Sequence, residues 1–293
     1  MRSLYLVLAL LALPALADAP VFPALVNPAT ADHHPGKIVW ADLVTPDLHG
    51  SEAFYSGLFG WTFRDASIPD KAYAIAYAGS RPVAGLLQHA LDPTRHRRPA
   101  WLTFISVRDV DAAVQAAADD GGKVLVPARD YPARGRQAIL ADPDGAVFAV
   151  LASTSGDPPD DLSEPGEFIW SSLQAHDPDR EAAFYQNLFG YEVFDLQSND
   201  GLAHLVFSAG DYARAGLNEL LADSVRRHPH WLDFVRVVDV AAAARAASSL
   251  GGRVLVEPRA DRQGAHLAVI ADPSGAVLGL MDWPGDAGKR EPK

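Results

Sequence analysis

The stretch Ala53-Phe54-Tyr55, followed by Leu58-Phe59-Gly60-Trp61, occurs twice in this chain. It returns as Ala183-Phe184-Tyr185 and Leu188-Phe189-Gly190-Tyr191, shifted by 130 positions. The same shift relates further identical residues and motifs: Trp40 and Trp170, Asp47 and Asp177, Trp101 and Trp231, Asp109 and Asp239, Gly121-Gly122 and Gly251-Gly252, and Ala141-Asp142-Pro143 and Ala271-Asp272-Pro273. One register held over so long a span indicates two copies of one folding unit in tandem.

The bulk composition is that of a globular protein. The chain has 293 residues, which suffices for two domains with cores of their own. Its hydrophobic fraction is 48% and its charged fraction 21%, which argues against broad disorder. The formal net charge is −12, and phosphate binding needs a basic surface. We therefore expect no nucleic-acid partner.

The N-terminal residues resemble a secretory signal peptide. Arg2 precedes an apolar run from Leu4 to Leu13, Pro14 interrupts it, and Ala15-Leu16-Ala17 matches the small-x-small cleavage pattern. The run is too short for a membrane span, although an uncleaved anchor is the alternative. The chain has no cysteine, so it has neither a disulfide framework nor a lipid-modified cysteine. We predict an exported protein, periplasmic or secreted, without an integral membrane segment after cleavage.

The pattern of turn residues divides the rest of the chain. We predict a signal peptide over 1–17, a linker over 18–36, domain 1 over 37–153, a connector over 154–166, domain 2 over 167–283 and a disordered tail over 284–293.

The first half of each unit shows strand and helix signals in a fixed order. In domain 1, Lys37 to Val44 has the apolar, β-branched composition of a strand, and Asp47 is a candidate cap for the helix that follows. Phe54 and Leu58 fall on one helix face, and Gly60 ends the helix. Short strand patterns follow. This order predicts a β-α-β-β-β module.

The second half of each unit repeats that order. In domain 1 a strand begins at Trp101, Asp109 opens an alanine-rich helix, and Gly121-Gly122 closes it. Three strands follow, and the last two are joined by the turn Asp142-Pro143-Asp144-Gly145. Each unit is therefore predicted to contain two β-α-β-β-β modules.

Taken together, these motifs resemble the vicinal oxygen chelate superfamily, which includes glyoxalase I, extradiol dioxygenases, and fosfomycin- and bleomycin-resistance proteins. The resemblance rests on Phe-Tyr…Leu-Phe-Gly-Trp, on Asp-Val-Asp-Ala at 109–112, on Gly-Gly and on Asp-Pro-Asp-Gly, and it covers about residues 37–153 and 167–283. It implies an α+β fold of two tandem domains, in which paired modules form an open, cup-shaped mixed sheet. In the family, a divalent metal sits in that cup.

The resemblance does not extend to the metal ligands. The family positions in the first, fifth and last strands fall on residues without a nitrogen or oxygen donor suited to a metal: Trp40, Leu102 and Ala149 in domain 1, and Trp170, Leu232 and Gly279 in domain 2. The nearby Asp42, His230 and Asp282 do not complete a site. The chain therefore resembles glyoxalase-like proteins that lack the metal site, and we predict no cofactor and no divalent metal.

Tryptophans are the first candidate ligand contacts. Trp40 and Trp170 replace a metal ligand in each cup, where a flat apolar ring with one N–H donor suits a planar molecule. The alternative is that each ring fills its cup as core. Trp101 and Trp231, at the fifth strands, are two further candidates.

Basic residues and histidines supply the polar candidates. Arg98 and His230 belong to two short basic segments before the fifth strands, which could attract an anionic ligand or remain solvated. His204 is a strand histidine, either an acid/base group or a satisfied core residue, and the shift of 130 pairs it with Ala74. Which residues would be catalytic is left open.

Three functions are compatible with these patterns. The first is an exported protein that binds a small apolar or aromatic molecule without a metal centre. The second is a lyase or dioxygenase with a divalent metal in a rearranged site. The third is a structural or interaction module. In each case the two units could pair internally, in place of the dimer that single-unit relatives form, to give a monomer or a dimer. Whether the protein is an enzyme is left open.

Overall fold

The computed structural model describes residues 22–66, 71–90, 98–197, 200–220, 228–261 and 264–283. The predicted signal peptide and C-terminal tail lie outside these ranges. Within them, every helix is too short or too polar to cross a membrane.

The described residues of each domain form eight strands and two helices in the predicted order. Domain 1 contains β1 (Ile38–Thr45), α1 (Leu48–Phe59), β2 (Thr62–Asp65), β3 (Tyr73–Ala78), β4 (Arg81–Gln88), β5 (Ala100–Ser106), α2 (Val110–Asp119), β6 (Lys123–Tyr131), β7 (Gly135–Ala141) and β8 (Val147–Ser153). Domain 2 contains β9 (Phe168–Ala175), α3 (Pro178–Phe189), β10 (Glu192–Asp195), β11 (His204–Ala209), β12 (Tyr212–Glu219), β13 (His230–Arg236), α4 (Val240–Ser249), β14 (Arg253–Ala260), β15 (His266–Ala271) and β16 (Val277–Met281).

Each domain forms one open, mixed sheet. The strand order is β2-β3-β4-β1-β5-β8-β7-β6 in domain 1, and domain 2 has the equivalent order β10-β11-β12-β9-β13-β16-β15-β14. The two modules of domain 1 join through the antiparallel pair β1 and β5. On the outer sides of this pair, β4 runs parallel to β1 and β8 runs parallel to β5. This arrangement confirms the α+β fold of two tandem domains.

Capping residues set the helix ends as predicted. The Asp47 carboxylate accepts a hydrogen bond from the Gly50 N–H at 2.9 Å and so satisfies one free donor of the first turn of α1. Gly60 ends the same helix in the left-handed region, with φ of +70°. Gly190 does the same for α3, with φ of +71°.

The helices of the two domains pack against each other. The apolar face of α1 shares a core with α4 and with the second half of the domain 2 sheet, and α3 shares an equivalent core with α2. A Cβ on Gly252 would lie 2.9 Å from Phe54 Cε2, and one on Gly122 would lie 3.1 Å from Phe184 Cε2. The Phe-Tyr motif of each domain thus fits onto the Gly-Gly motif of the other.

Two tyrosines join the domains in the same reciprocal way. Tyr55 O–H donates to Asp272 of domain 2 at 3.2 Å, and Tyr185 O–H donates to Asp142 of domain 1 at 3.1 Å. Each tyrosine is fully buried. The aspartates belong to the repeated Asp-Pro turns, so two motifs that the sequence repeats are hydrogen-bonded partners across the interface. The predicted internal pairing of the domains is therefore present.

The centre of the interface brings two equivalent positions together. Thr103 Oγ1 lies 3.0 Å from each carboxylate oxygen of Asp233, which is its counterpart 130 positions along the chain. Ser171 Oγ donates to the same carboxylate at 2.5 Å. Asp233 is only 1% exposed, and this burial raises its pKa to about 6.

Candidate ligand-binding site

The face of each sheet that the helices leave uncovered carries the candidate site. We call this face cup 1 in domain 1 and cup 2 in domain 2. Cup 1 is lined by the apolar cluster around Trp40, Leu102 and Phe104, and cup 2 by the cluster around Trp170 and Phe234.

Cup 1 is filled by the chain itself. Phe22, which precedes the first strand, packs edge-on against Tyr73 and Tyr131, with ring centroids 5.1 and 5.0 Å apart. Leu25 joins the same cluster, and Trp40 is left only 4% exposed. Trp40 therefore belongs to a closed core.

A buried polar network lies beneath Phe22 and Leu25. The Trp40 Nε1–H and the Tyr73 O–H both donate to Asp42 Oδ1, at 2.8 and 2.9 Å. The Arg134 guanidinium lies over the Trp40 ring, with Cζ 4.1 Å from its centroid. Burial raises the pKa of Asp42 and lowers that of Arg134, while the attraction between the two charges opposes both shifts.

Cup 2 is open where cup 1 is closed. Trp170 is half-buried, in contrast to Trp40. On one edge strand Leu255 is 48% exposed, whereas its counterpart Leu125 in cup 1 is 3% exposed. Phe194, on the opposite edge strand, is 51% exposed. Apolar side chains therefore face solvent from the floor and from both edges of cup 2.

Polar side chains follow one side of the Trp170 ring. Ser172 is two residues further along the same strand and hence on the same face, and its Oγ accepts from Gln174 Nε2 at 2.9 Å. His204 Nδ1 lies 2.8 Å from Asn218 Oδ1, and its Nε2 lies 3.0 Å from Asp200 Oδ2. Both ring nitrogens of His204 are thus engaged, and its side chain is 19% exposed.

Gly216 makes room for the tryptophan in cup 2. A Cβ there would lie 3.4 Å from Trp170 Nε1 and 3.3 Å from Ser172 Cβ. In cup 1 the structurally equivalent Gly85 faces Asp42 and the Tyr73 hydroxyl instead. The same glycine thus faces an indole in one cup and a charged network in the other.

The structure separates the candidates predicted from sequence. On the cup 2 face lie Trp170, His204 and, at the rim opposite Gln174, His230. Trp40 lies in the closed cup 1, and Arg98 is exposed just before β5. Trp101 and Trp231 lie on the opposite face of the sheets, where they donate to Tyr55 and Tyr185 in the domain interface. Those two side chains have no access to either cup.

One pairing proposed from sequence is wrong. His204 is the first residue of β11, and the first residue of β3 is Tyr73 rather than Ala74. The loop between β10 and β11 is one residue longer than that between β2 and β3, so the constant shift of 130 fails there. Arg134, Ser172 and Asn218 were not predicted, because only the folded sheets bring them to the tryptophans.

The positions of the family's metal ligands do not fit a metal. Trp40, Leu102 and Ala149 are buried apolar side chains. In domain 2 the Phe234 ring covers the third position, since a Cβ on Gly279 would lie 2.1 Å from Phe234 Cδ1. Among the described residues, no three His, Cys, Asp or Glu side chains are grouped so as to hold a metal. The donor set that metal coordination needs is missing at these positions.

Paired β-α-β-β-β modules around an open sheet place this protein in the vicinal oxygen chelate class of folds. Residues 37–150 match the glyoxalase/bleomycin resistance protein/dioxygenase superfamily, and residues 170–281 match a glyoxalase-like domain. The chain belongs to this superfamily.

Similar proteins include two of comparable length. A protein of Mycobacterium tuberculosis (strain CDC 1551 / Oshkosh), which carries the name glyoxylase CFP32, is 30% identical over 87% of this chain and 97% of its own. The anthracycline biosynthesis protein DauV of Streptomyces sp. (strain C5) is 32% identical over 85% of this chain and 94% of its own. Among solved structures, the Mn(II)-bound glyoxalase from Novosphingobium aromaticivorans shares the fold, with a TM-score of 0.59, 16% identity, and 85% and 82% coverage.

Proposed function

We propose that cup 2 binds a small, flat aromatic or apolar molecule, and that it does so without a metal centre of the family type. The observation that carries this proposal is the half-buried Trp170 ring on an otherwise open sheet face. The exposed Phe194 and Leu255 extend the apolar surface to both edges of the sheet. The partly exposed Asn218 supplies an amide beside it, and the buried Ser172 hydroxyl lies two residues further along the Trp170 strand. An apolar concavity with few polar groups is typical of small-molecule sites.

The relatives suggest a chemical class for the ligand. One similar protein is named an anthracycline biosynthesis protein, and anthracyclines are flat molecules of fused rings. Such a ring system could stack on an indole and present its oxygens to the neighbouring hydroxyl and amide groups. A fluorescent anthracycline such as doxorubicin is therefore a suitable first probe, together with a panel of smaller aromatic compounds.

Binding to the Trp170→Ala variant tests the proposal. Losing contact with a large aromatic side chain removes about 1.5–3 kcal/mol, which corresponds to roughly tenfold to hundredfold weaker binding. Val238→Ala is the control, because Val238 is 82% exposed in the loop before α4, away from the cup. Equal affinity of the Trp170→Ala variant and the native protein would contradict the proposal, as would a panel without any binder.

The metal-free character can be measured separately. Elemental analysis of untagged protein should find clearly less than one divalent metal per chain, and EDTA should leave ligand binding unchanged. One retained equivalent of metal, together with loss of binding in EDTA, would favour the alternative of a rearranged metal site.

The contact between Asp200 and His204 favours a second candidate, proton transfer to or from the bound molecule. A carboxylate that orients an imidazole is a recurring element of acid/base sites. In this role His204 Nδ1 would exchange its Asn218 partner for the bound molecule. Deuterium uptake at the benzylic carbon of phenylacetone in D₂O would reveal such transfer. We expect uptake with native protein and none above background with His204→Gln. Equal rates for both proteins would eliminate this role.

We also propose that the chain is exported and that its two domains form a monomer. The first part rests on Arg2, the apolar run to Leu13 and the Ala15-Leu16-Ala17 pattern. N-terminal sequencing of protein recovered outside the cytoplasm should begin at Asp18, and an intact Met1 would contradict cleavage. Light scattering should give a mass close to that of one mature chain.

A further inference from the structure

Residues 22–26, which we call the strap, lie across cup 1 without regular secondary structure. Phe22 is 9% exposed and Leu25 is 7% exposed, so both side chains are inserted into the domain. The backbone N–H groups of Leu25 and Val26 donate to Ser155 Oγ at 3.0 and 3.2 Å. A few local contacts of this kind hold a segment less firmly than strand pairing does.

Beneath the strap, one buried cation is incompletely satisfied. Arg134 is 1% exposed, and its Nε–H donates to the Pro23 carbonyl oxygen at 2.8 Å. Its Nη2 is buried and has no hydrogen-bond partner among the described residues. Nε and Nη2 share one edge of the guanidinium, and that edge matches the two oxygens of a carboxylate. We call these two nitrogens the Arg134 fork. The single Pro23 carbonyl oxygen pairs with Nε and leaves Nη2 without a partner among the described residues.

The strap also supplies an aromatic ring next to that fork. Phe22 packs edge-on against Tyr73 and Tyr131, one residue before the carbonyl that Arg134 binds. The guanidinium is supported from its other side by the Trp40 ring. The strap thus places the Phe22 ring and the Pro23 carbonyl oxygen side by side in cup 1. A small molecule with an aromatic ring and an oxygen acceptor would present the same two groups.

We propose that cup 1 is a second ligand site, specific for an aryl carboxylate with a short linker, and that the strap occupies it in the absence of ligand. A carboxylate would satisfy both Nε and Nη2 of Arg134, and the aryl ring would take the place of Phe22. Asp42 is the acid whose charge acts on Arg134, and its Oδ1 already accepts from Trp40 and Tyr73. The Arg129 cation acts on Tyr131 in the same cup. Since the Asp42 carboxylate already faces Arg134, the ligand carboxylate brings a second negative charge to this cation, and a dianion would bring a third. The site therefore suits a ligand with no more than one negative charge.

The described residues of cup 2 lack the cation that the carboxylate of this ligand class requires. The shift of 130 places Gly264 where cup 1 has Arg134, and the strand register places Ser172 where cup 1 has Asp42. The cation and its fork therefore exist in cup 1 alone among the cup residues that the structure describes. This proposal is independent of the function proposed for cup 2.

Loosening the strap is the perturbation that tests the site. If the strap is closed in most molecules, the apparent affinity is reduced by the fraction that is open, so opening it should raise the affinity. Ser155→Ala removes the acceptor of two strap N–H groups without touching the cup lining. Phe22→Ser removes the aromatic contacts of the strap with Tyr73 and Tyr131. Both variants should bind phenylacetate at least tenfold more tightly than native protein in isothermal titration.

Three comparisons assign the binding to the Arg134 fork. In the Phe22→Ser background, Arg134→Lys keeps the charge and loses the fork, so phenylacetate should bind at least tenfold more weakly. Phenylacetamide, which keeps the ring but is neutral, should bind the Phe22→Ser variant at least tenfold more weakly than phenylacetate. Trp170→Ala, in cup 2, should leave phenylacetate binding to the Phe22→Ser variant unchanged.

Each contrary result would overturn the proposal. If both strap variants keep the native circular dichroism and melt cooperatively, yet bind phenylacetate no better than native protein, the strap covers no carboxylate site. Equal binding of the acid and the amide, or no effect of Arg134→Lys, would show that the guanidinium is only structural. Loss of binding on Trp170→Ala would transfer the site to cup 2.

Discussion

Replacing Asp233 by asparagine should change how the stability of the protein depends on pH. This carboxylate is 1% exposed at the centre of the domain interface, and its described hydrogen-bond partners are the hydroxyls of Thr103 and Ser171. Two neutral donors do not compensate for the loss of hydration of a charge, so burial raises its pKa to about 6. Asparagine keeps the shape and an acceptor oxygen and cannot ionise.

The magnitude follows from the difference between the folded and unfolded pKa values. The folded value is about 6 and the ordinary value 3.8, so the folded state holds the proton more tightly. Below pH 3.8 both states are protonated, and this group does not weaken the fold. As the pH rises from about 4 to 6, the unfolded state loses its proton first and stability falls. At 1.36 kcal/mol per pKa unit, the total loss is about 3 kcal/mol.

Urea unfolding between pH 4 and 8 is the assay, analysed as the difference between native and Asp233→Asn free energies. That difference should change by about 2.5 kcal/mol in favour of the variant between pH 4 and 7, since part of the total is already lost at pH 4, and then level off. Other buried acids titrate in both proteins and cancel in the difference. Asp161→Asn, at an exposed position of the connector, controls for the loss of one charge. A difference that stays constant to within 0.5 kcal/mol would refute a buried, uncompensated carboxylate.

Three further substitutions test the interface. Gly252→Ala should lower stability by about 1–3 kcal/mol in thermal unfolding, because its Cβ would lie 2.7 Å from the Ala271 carbonyl oxygen and 2.9 Å from the Phe54 ring. An unchanged midpoint would contradict this close packing. Tyr185→Phe should cost about 1–3 kcal/mol, because the buried Asp142 carboxylate loses a donor; a cost below 0.5 kcal/mol would contradict that bond. Burial and the neighbouring Asp142 charge raise the pKa of Glu181 above its ordinary value of 4.5. Glu181→Gln should therefore gain stability over the native protein as the pH rises above about 4.5, and parallel pH profiles would contradict this.

The fold was largely predictable because its determinants are local and occur twice. The aspartate Asp47 at the N-cap of α1 and the left-handed Gly60 at its end are short-range signals, and both have the predicted role. The repeat then supplied the domain count and the order of the modules. What the pattern could not reveal is that Phe54 contacts Gly252, because a contact across about two hundred residues leaves no mark on local spacing.

The candidate site was less predictable, because the state of a side chain depends on what covers it. Trp40 and Trp170 occupy equivalent positions in the sequence, but the first is closed off by Phe22 and the second is half-exposed. Trp101 is also a strand tryptophan, but it lies on the opposite face of the sheet, because side chains alternate along a strand. Residue type alone does not show which face the helices cover. His204 was paired with the wrong residue because one loop is longer by a residue.

The repeat therefore constrains one face of each sheet and leaves the other free to differ. On the helix side, the Phe-Tyr motif of each domain contacts the Gly-Gly motif and the Asp-Pro turn of the other, so a change in one copy disturbs a partner in the second. The cups face away from that interface and share no such partner. There the equivalent positions have diverged: the cup with Asp42 and Tyr73 is charged and covered, whereas the cup with Ser172 and His204 is open and carries no buried cation among its described residues. The repeated motifs thus hold the two domains together, and any difference in ligand between the cups must be read from the residues that are not repeated.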